Sequence, residues 1–145
     1  MRILLDADTP IQILPLMRHT LRGHRVDHVH DLGWSRKKDR PLLRDAAQAR
    51  YQLFLTNDSN QLNDPDECRE IKKSRMHHVR YAHRHAGLAG LALAIGAIVA
   101  AMPGVVAHLE AANGQLLVRI NGLDPTPSRR FDVQDPKTSP PRYWH

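Results

Sequence analysis

Short apolar runs that alternate with helical patterns constrain this chain more than any other feature. Ile3-Leu4-Leu5 is a strand-length run ending at Asp6, and from Ile11 to Leu21 apolar residues recur at helical spacing until Gly23 stops them. Val26 to Val29 reads as a second strand. A second helix opens at Asp39, read as its cap, with Pro41 in the first turn where the missing N–H costs nothing. Tyr51 to Thr56 is the third strand. Asp64-Pro65-Asp66-Glu67 then begins a helix whose end is basic (Lys72, Lys73, Arg75), matching the helix dipole at both ends. Met76 to Tyr81 reads as a fourth strand, and Asn113-Gly114 turns the chain into a fifth, Gln115 to Ile120. Strands separated by helices of this length mark βαβ units and a mostly parallel sheet, whose ligands gather at the carboxyl ends of the strands. The expected fold class is α/β, a central sheet flanked by helices.

From Ala86 to Ala107 the chain carries no charge, a stretch long enough for a bilayer-spanning helix. It is mostly Ala and Gly, is interrupted by Pro103-Gly104, and is flanked by histidines instead of aromatic anchors. The reading is therefore a buried helix, followed by a shorter one from Gly104 to Ala112, with no membrane span. Asp6 and Asp8 interrupt the N-terminal region before a signal-peptide core can form, so the expected compartment is the cytoplasm. A chain of 145 residues suits one domain, here residues 1–123. Residues 124–145 hold five of the ten prolines and few apolar residues, which predicts an extended tail. Cys68 is the single cysteine, so a disulfide framework and a Cys-rich zinc site are excluded. The formal charge of +6 suits a polyanionic partner.

Carboxylates close two of the strands. Asp6 and Asp8 follow the first and Asp58 follows the third, so a parallel sheet brings three carboxylates from distant sequence to one crevice. Such groups raise one another's pKa unless a divalent cation neutralises them, and oxygen-only ligation favours Mg2+ or Mn2+ over Zn2+. The same residues also suit local roles: Asp8 as a helix cap, and Asp58 as an Asx turn in Asn57-Asp58-Ser59-Asn60. His77, His78, His83 and His85 lack a carboxylate or cysteine at ligand spacing and are not read as a metal site.

Four segments in order carry a family resemblance: Ile3-Leu4-Leu5-Asp6-Ala7-Asp8, the Gly23 to Gly33 segment, Asp39 with Leu42 to Ala47, and Leu53-Phe54-Leu55-Thr56-Asn57-Asp58. Together they resemble the compact PIN-like domains over residues 1 to about 122. The resemblance implies a three-layer fold and a metal-dependent ribonuclease, in many relatives the toxin of a bacterial type II toxin–antitoxin pair whose partner is a cognate antitoxin protein. It implies catalytic roles for Asp6, Asp39 and Asp58, and metal binding by Asp6, Asp8, Asp58 and Asn60. Two positions depart from the pattern: Ala7 stands where the family often has Glu, and Asn60 where it has a second acid. A catalytically degenerate relative that acts as a nucleic-acid- or protein-binding module is the alternative.

Metal-assisted hydrolysis of a phosphodiester is the chemistry such a site would run. The neighbouring segment Gly33 to Arg40 places Trp34, Arg36, Lys37, Lys38 and Arg40 in one loop, a mixture that grips phosphates and stacks bases and suits a polyanionic substrate, which the resemblance implies is RNA. From Arg69 to Arg84 six Lys and Arg against Glu70 alone extend the basic character. A phospho-receiver domain is disfavoured, because Met76 to Ala82 lacks a hydroxyl residue and no lysine lies between Lys73 and Lys137. The small-residue helix suggests a homodimer.

Overall fold

The computed structural model describes residues 1–57, 60–83 and 85–145. Six strands form one sheet: β1 (Arg2–Leu5), β2 (Arg25–His28), β3 (Leu53–Thr56), β4 (His77–Tyr81), β5 (Leu117–Ile120) and β6 (Phe131–Gln134), in the order β2-β1-β3-β4-β5-β6. The first five are parallel, and β6 runs antiparallel to β5. Four α-helices connect them: α1 (Ile13–Thr20), α2 (Asp39–Gln48), α3 (Pro65–Ser74) and α4 (Gly87–Glu110). The α/β architecture with a mostly parallel sheet between helices is the one that the alternation predicts.

Period-2 alternation divides the core into two layers. Ile3, Leu5, Leu53, Leu55, Val79, Tyr81, Val118 and Ile120 face α1 and α4, whereas Leu4, Phe54 and Leu117 face α2 and α3. This placement sets the hand of the connections. From β1 the chain steps to β2 through α1 on one face, then returns past β1 through α2 and α3 on the other face, so these three crossovers share one hand. The step from β4 to β5 continues in the same direction as β3 to β4 but uses α4 on the α1 face, which gives it the opposite hand, a rarity among parallel connections. As a result, among the described residues no α-helix is interposed between β4 and β5 on the α2/α3 face.

Three expectations are corrected. Pro103 does not break the helix: α4 runs unbroken for 24 residues, because the proline lies on its exposed side while Met102, Val105 and Val106 stay buried. No separate helix starts at Gly104. Asp39 does not cap α2; it is the first helical residue, after Lys38, and its charge falls in the dipole-favoured first turn. The C-terminal segment does not merely trail. Residues 131–134 form β6, Phe131 and Val133 pack against the α1/α4 layer, and Tyr143 and Trp144 pack against the α2/α3 layer. Spaced by prolines, these few apolar residues give no periodic signal, but β5 would otherwise be an open edge.

Among the described residues α4 alone is long and apolar enough to cross a membrane, and 44% of its most apolar stretch is buried within the fold.

Candidate functional site

The chain leaves β1 toward β2 on one side and returns to β3 on the other, so strand order reverses between the carboxyl ends of β1 and β3, the position at which open parallel sheets bind ligands. Asp6 stands there. Its backbone N–H donates to the Leu55 carbonyl at 2.9 Å, which carries the β1–β3 pairing one residue beyond the strand. The carboxylate is only 5% exposed. Thr56 Oγ1 donates to Oδ2 and the Ala7 N–H donates to Oδ1, both at 2.7 Å. Burial pushes the Asp6 pKa above the ordinary carboxylate value; the hydrogen bonds from Thr56 and Ala7 oppose the rise, and the charges of Asp8 and Asp39 add to it.

The turn that follows is tied to every neighbouring strand. From β2, His28 Nε2 lies 2.7 Å from the Thr9 carbonyl. From β4, the Tyr81 hydroxyl lies 3.3 Å from both the Asp8 carbonyl and Thr9 Oγ1. Burial pushes the Tyr81 phenol up to about 12, so it remains a neutral donor. Asp8 itself is exposed and does not cap α1, whose N-cap position is Gln12.

Asp6, Asp8 and Asp39 thus come from two separate segments to one electrostatic neighbourhood. Asn60 is exposed, directly before a 3-10 turn at Gln61–Asn63. Asp58 lies outside the described residues. Among the described residues no three His, Cys, Asp or Glu side chains converge as metal ligands. The donor chemistry nonetheless suits a hard cation: Asp6 accepts one hydrogen bond on each oxygen and keeps a lone pair on each for a further partner.

The loop before α2 is less free than its composition suggests. Trp34 is half-buried and packs on the α2/α3 layer, with Lys37 Nζ 5.5 Å above its ring. Lys37 also pairs with Asp45 at 2.6 Å, and Arg40, expected in the loop, lies instead in the first turn of α2, 3.8 Å from Asp66. Arg36 and Lys38 are exposed.

Sequence reasoning missed the residues of β4 and β5 that point to the α2/α3 face. His78 is buried, and its Nε2 lies 2.9 Å from Gln61 Oε1, which anchors the segment after β3 to the sheet. Desolvation lowers the His78 pKa to about 3, so the ring is neutral. Arg80 and Arg119 lie on the same face in register with Thr56. The strand is legible in the sequence, and so is the alternation of Val79 and Tyr81 against His78 and Arg80; the partner that β5 brings beside Arg80 is not. The chain matches no family model, no curated protein and no solved structure.

Proposed function

We propose that this chain is a metal-dependent ribonuclease that hydrolyses RNA phosphodiesters, with Mg2+ or Mn2+ held at Asp6. The observation that carries the reading is the buried Asp6 carboxylate where strand order reverses between β1 and β3, held by Thr56 and faced by the charges of Asp8 and Asp39. An acidic group in that setting gains most from a divalent cation, and open parallel sheets bind ligands at this reversal of strand order. In this reading Asp6 and Asp58 are direct ligands, while Asp8, Asp39 and Asn60 hold metal-bound water. A bound divalent ion supplies a water of lowered pKa and shields charge on the phosphate oxygens. Thr56 keeps the Asp6 carboxylate oriented, and the exposed Arg36 and Lys38 attract the strand. The resemblance of the four motifs to PIN-like domains adds the proposal that the chain is a cytoplasmic toxin restrained by a cognate antitoxin protein.

A second reading, a nucleic-acid- or protein-binding module without catalysis, draws on two positions where the acidic pattern is thinned: Ala7 directly follows Asp6, and Asn60 stands where a second acid is expected. Single-stranded RNA incubated with protein and Mn2+ separates the two. Under the nuclease reading the RNA is cut, EDTA stops cutting, and Asp6→Asn and Asp58→Asn each abolish it while circular dichroism is unchanged. Cutting that survives EDTA and both substitutions, or no cutting of any RNA by metal-loaded protein, rejects the nuclease reading.

A further inference from the structure

A polar row crosses the sheet on its α2/α3 face at the carboxyl end of the strands. Thr56 holds Asp6; Thr56 is in register with Arg80, Arg80 with Arg119, and Arg119 with Asp132. Because β4–α4–β5 crosses on the far face, this end of the row has no helix interposed among the described residues, and a cavity of about 250 Å³ opens there, lined by Arg80, Leu117, Arg119, Asp132, Val133 and Gln134.

The charges in the row do not balance locally. Arg119 pairs with Asp132 at 3.1 Å. Arg80 is half-buried, stands directly beside Arg119, and has no carboxylate within ion-pair distance among the described residues. Like charges opposite one another on neighbouring strands are unfavourable, and a partly desolvated guanidinium without a counterion is more so. Burial and the Arg119 charge together depress the Arg80 pKa. An anion that accepts from both guanidinium groups removes both penalties, and a phosphate matches their planar donor forks.

We propose that Arg80 and Arg119 form a phosphate subsite that holds an RNA strand two to three strands along the sheet from Asp6. Two strand spacings, about 10 Å, separate β4 from β1, so one strand can touch both positions. The proposal rests on RNA as the ligand at the carboxyl ends of the strands but not on its cleavage. It gives the substrate a direction, from Asp6 toward β5.

The test is fluorescence anisotropy of a fluorescein-labelled oligouridylate with the full chain in EDTA, titrated at several salt concentrations. Arg80→Gln should weaken binding about tenfold or more and reduce the salt slope by about one phosphate contact. Arg80→Lys should recover part of the affinity, since it keeps the charge but loses the fork. Arg119→Gln should weaken binding as well. Without RNA, Arg80→Gln should melt at or above the wild-type midpoint, because it removes an uncompensated charge. Unchanged affinity and salt slope in Arg80→Gln, or a lowered midpoint with unchanged affinity, would overturn the subsite. Competition by inorganic phosphate at the same concentration as the oligonucleotide would assign the site to a free anion and overturn the RNA assignment. Cutting in Mn2+ with unaltered Arg80→Gln binding would reject the subsite and leave the nuclease reading, whereas lost binding in Arg80→Gln without any cutting would do the reverse.

Discussion

Asp6 concentrates the tension in this molecule into one side chain. A carboxylate that is 5% exposed and faced by two further acids is held by only two hydrogen bonds from Thr56 and Ala7. Because its pKa is raised in the fold, the folded chain binds this proton more tightly than the unfolded chain does. The Asp6 contribution to stability is therefore lost as pH rises from the ordinary carboxylate value through the raised one. Asp6→Asn removes that loss. In calorimetry at pH 7 without divalent ions the variant should melt a few degrees above wild type, and the gap should close as pH falls below the ordinary carboxylate value. Added Mn2+ should raise the wild-type midpoint and leave the variant unmoved, since only binding to the folded state stabilises it. A variant that melts below wild type at pH 7 would show that Asp6 contributes more by its hydrogen bonds than it costs by burial.

At the scale of the element, α4 departs most from what local signals suggest. Its glycines divide by what lies over them. A Cβ on Gly90 would lie 1.9 Å from the His85 carbonyl oxygen, a backbone atom that cannot yield without moving the turn into the helix. A Cβ on Gly96 would meet only the Leu123 side chain, at 2.9 Å, and Leu123 is 56% exposed and free to turn away. Gly90→Ala should therefore destabilise the fold by about 1–3 kcal/mol, whereas Gly96→Ala should be neutral or gain up to about 1 kcal/mol of helix propensity. Urea denaturation of the two variants decides the matter, and equal midpoints would contradict the close approach at His85. The unbroken passage of α4 through Pro103 has the same cause as its glycine pattern: buried contacts on one side outweigh a backbone preference on the other.

The whole molecule has two unlike faces. Among the described residues the large apolar side chains left exposed are Ile11, Leu16, Leu88, Leu93 and Leu123, and all belong to α4, to the segment of α1, or to the loop packed on Gly96. The opposite layer displays Arg40, Arg44, Lys72 and Lys73. An uncharged helix face offers a charged partner nothing, while a second copy presents the same apolar surface. Light scattering should therefore show a dimer, and Leu88→Glu with Leu93→Glu should return a monomer that still binds RNA; a monomeric wild type would leave the face without this partner. The second molecular expectation concerns the C-terminus. A chain ending at Leu123 loses β6 and the packing of Phe131, Val133, Tyr143 and Trp144, about 1 kcal/mol each for partly buried groups. Its midpoint should fall by about 10 °C or more. A fall of only a degree or two would return the segment to the status of a loose tail.

Periodicity and turn chemistry by themselves determined the alternation of strands and helices, the parallel sheet, and the arrival of Asp6 at a strand end, because each depends on residues a few positions apart. Tertiary structure alone decided the rest. Whether Pro103 stops a helix depends on what the helix rests on, and whether a proline-rich terminus forms a strand depends on β5 being left as an edge. The register that puts Arg80 beside Arg119 joins residues 39 positions apart, and the face they share is open only because α4 crosses behind the sheet. Pairing register and crossover hand are properties of the packed layers, and local sequence carries no record of them.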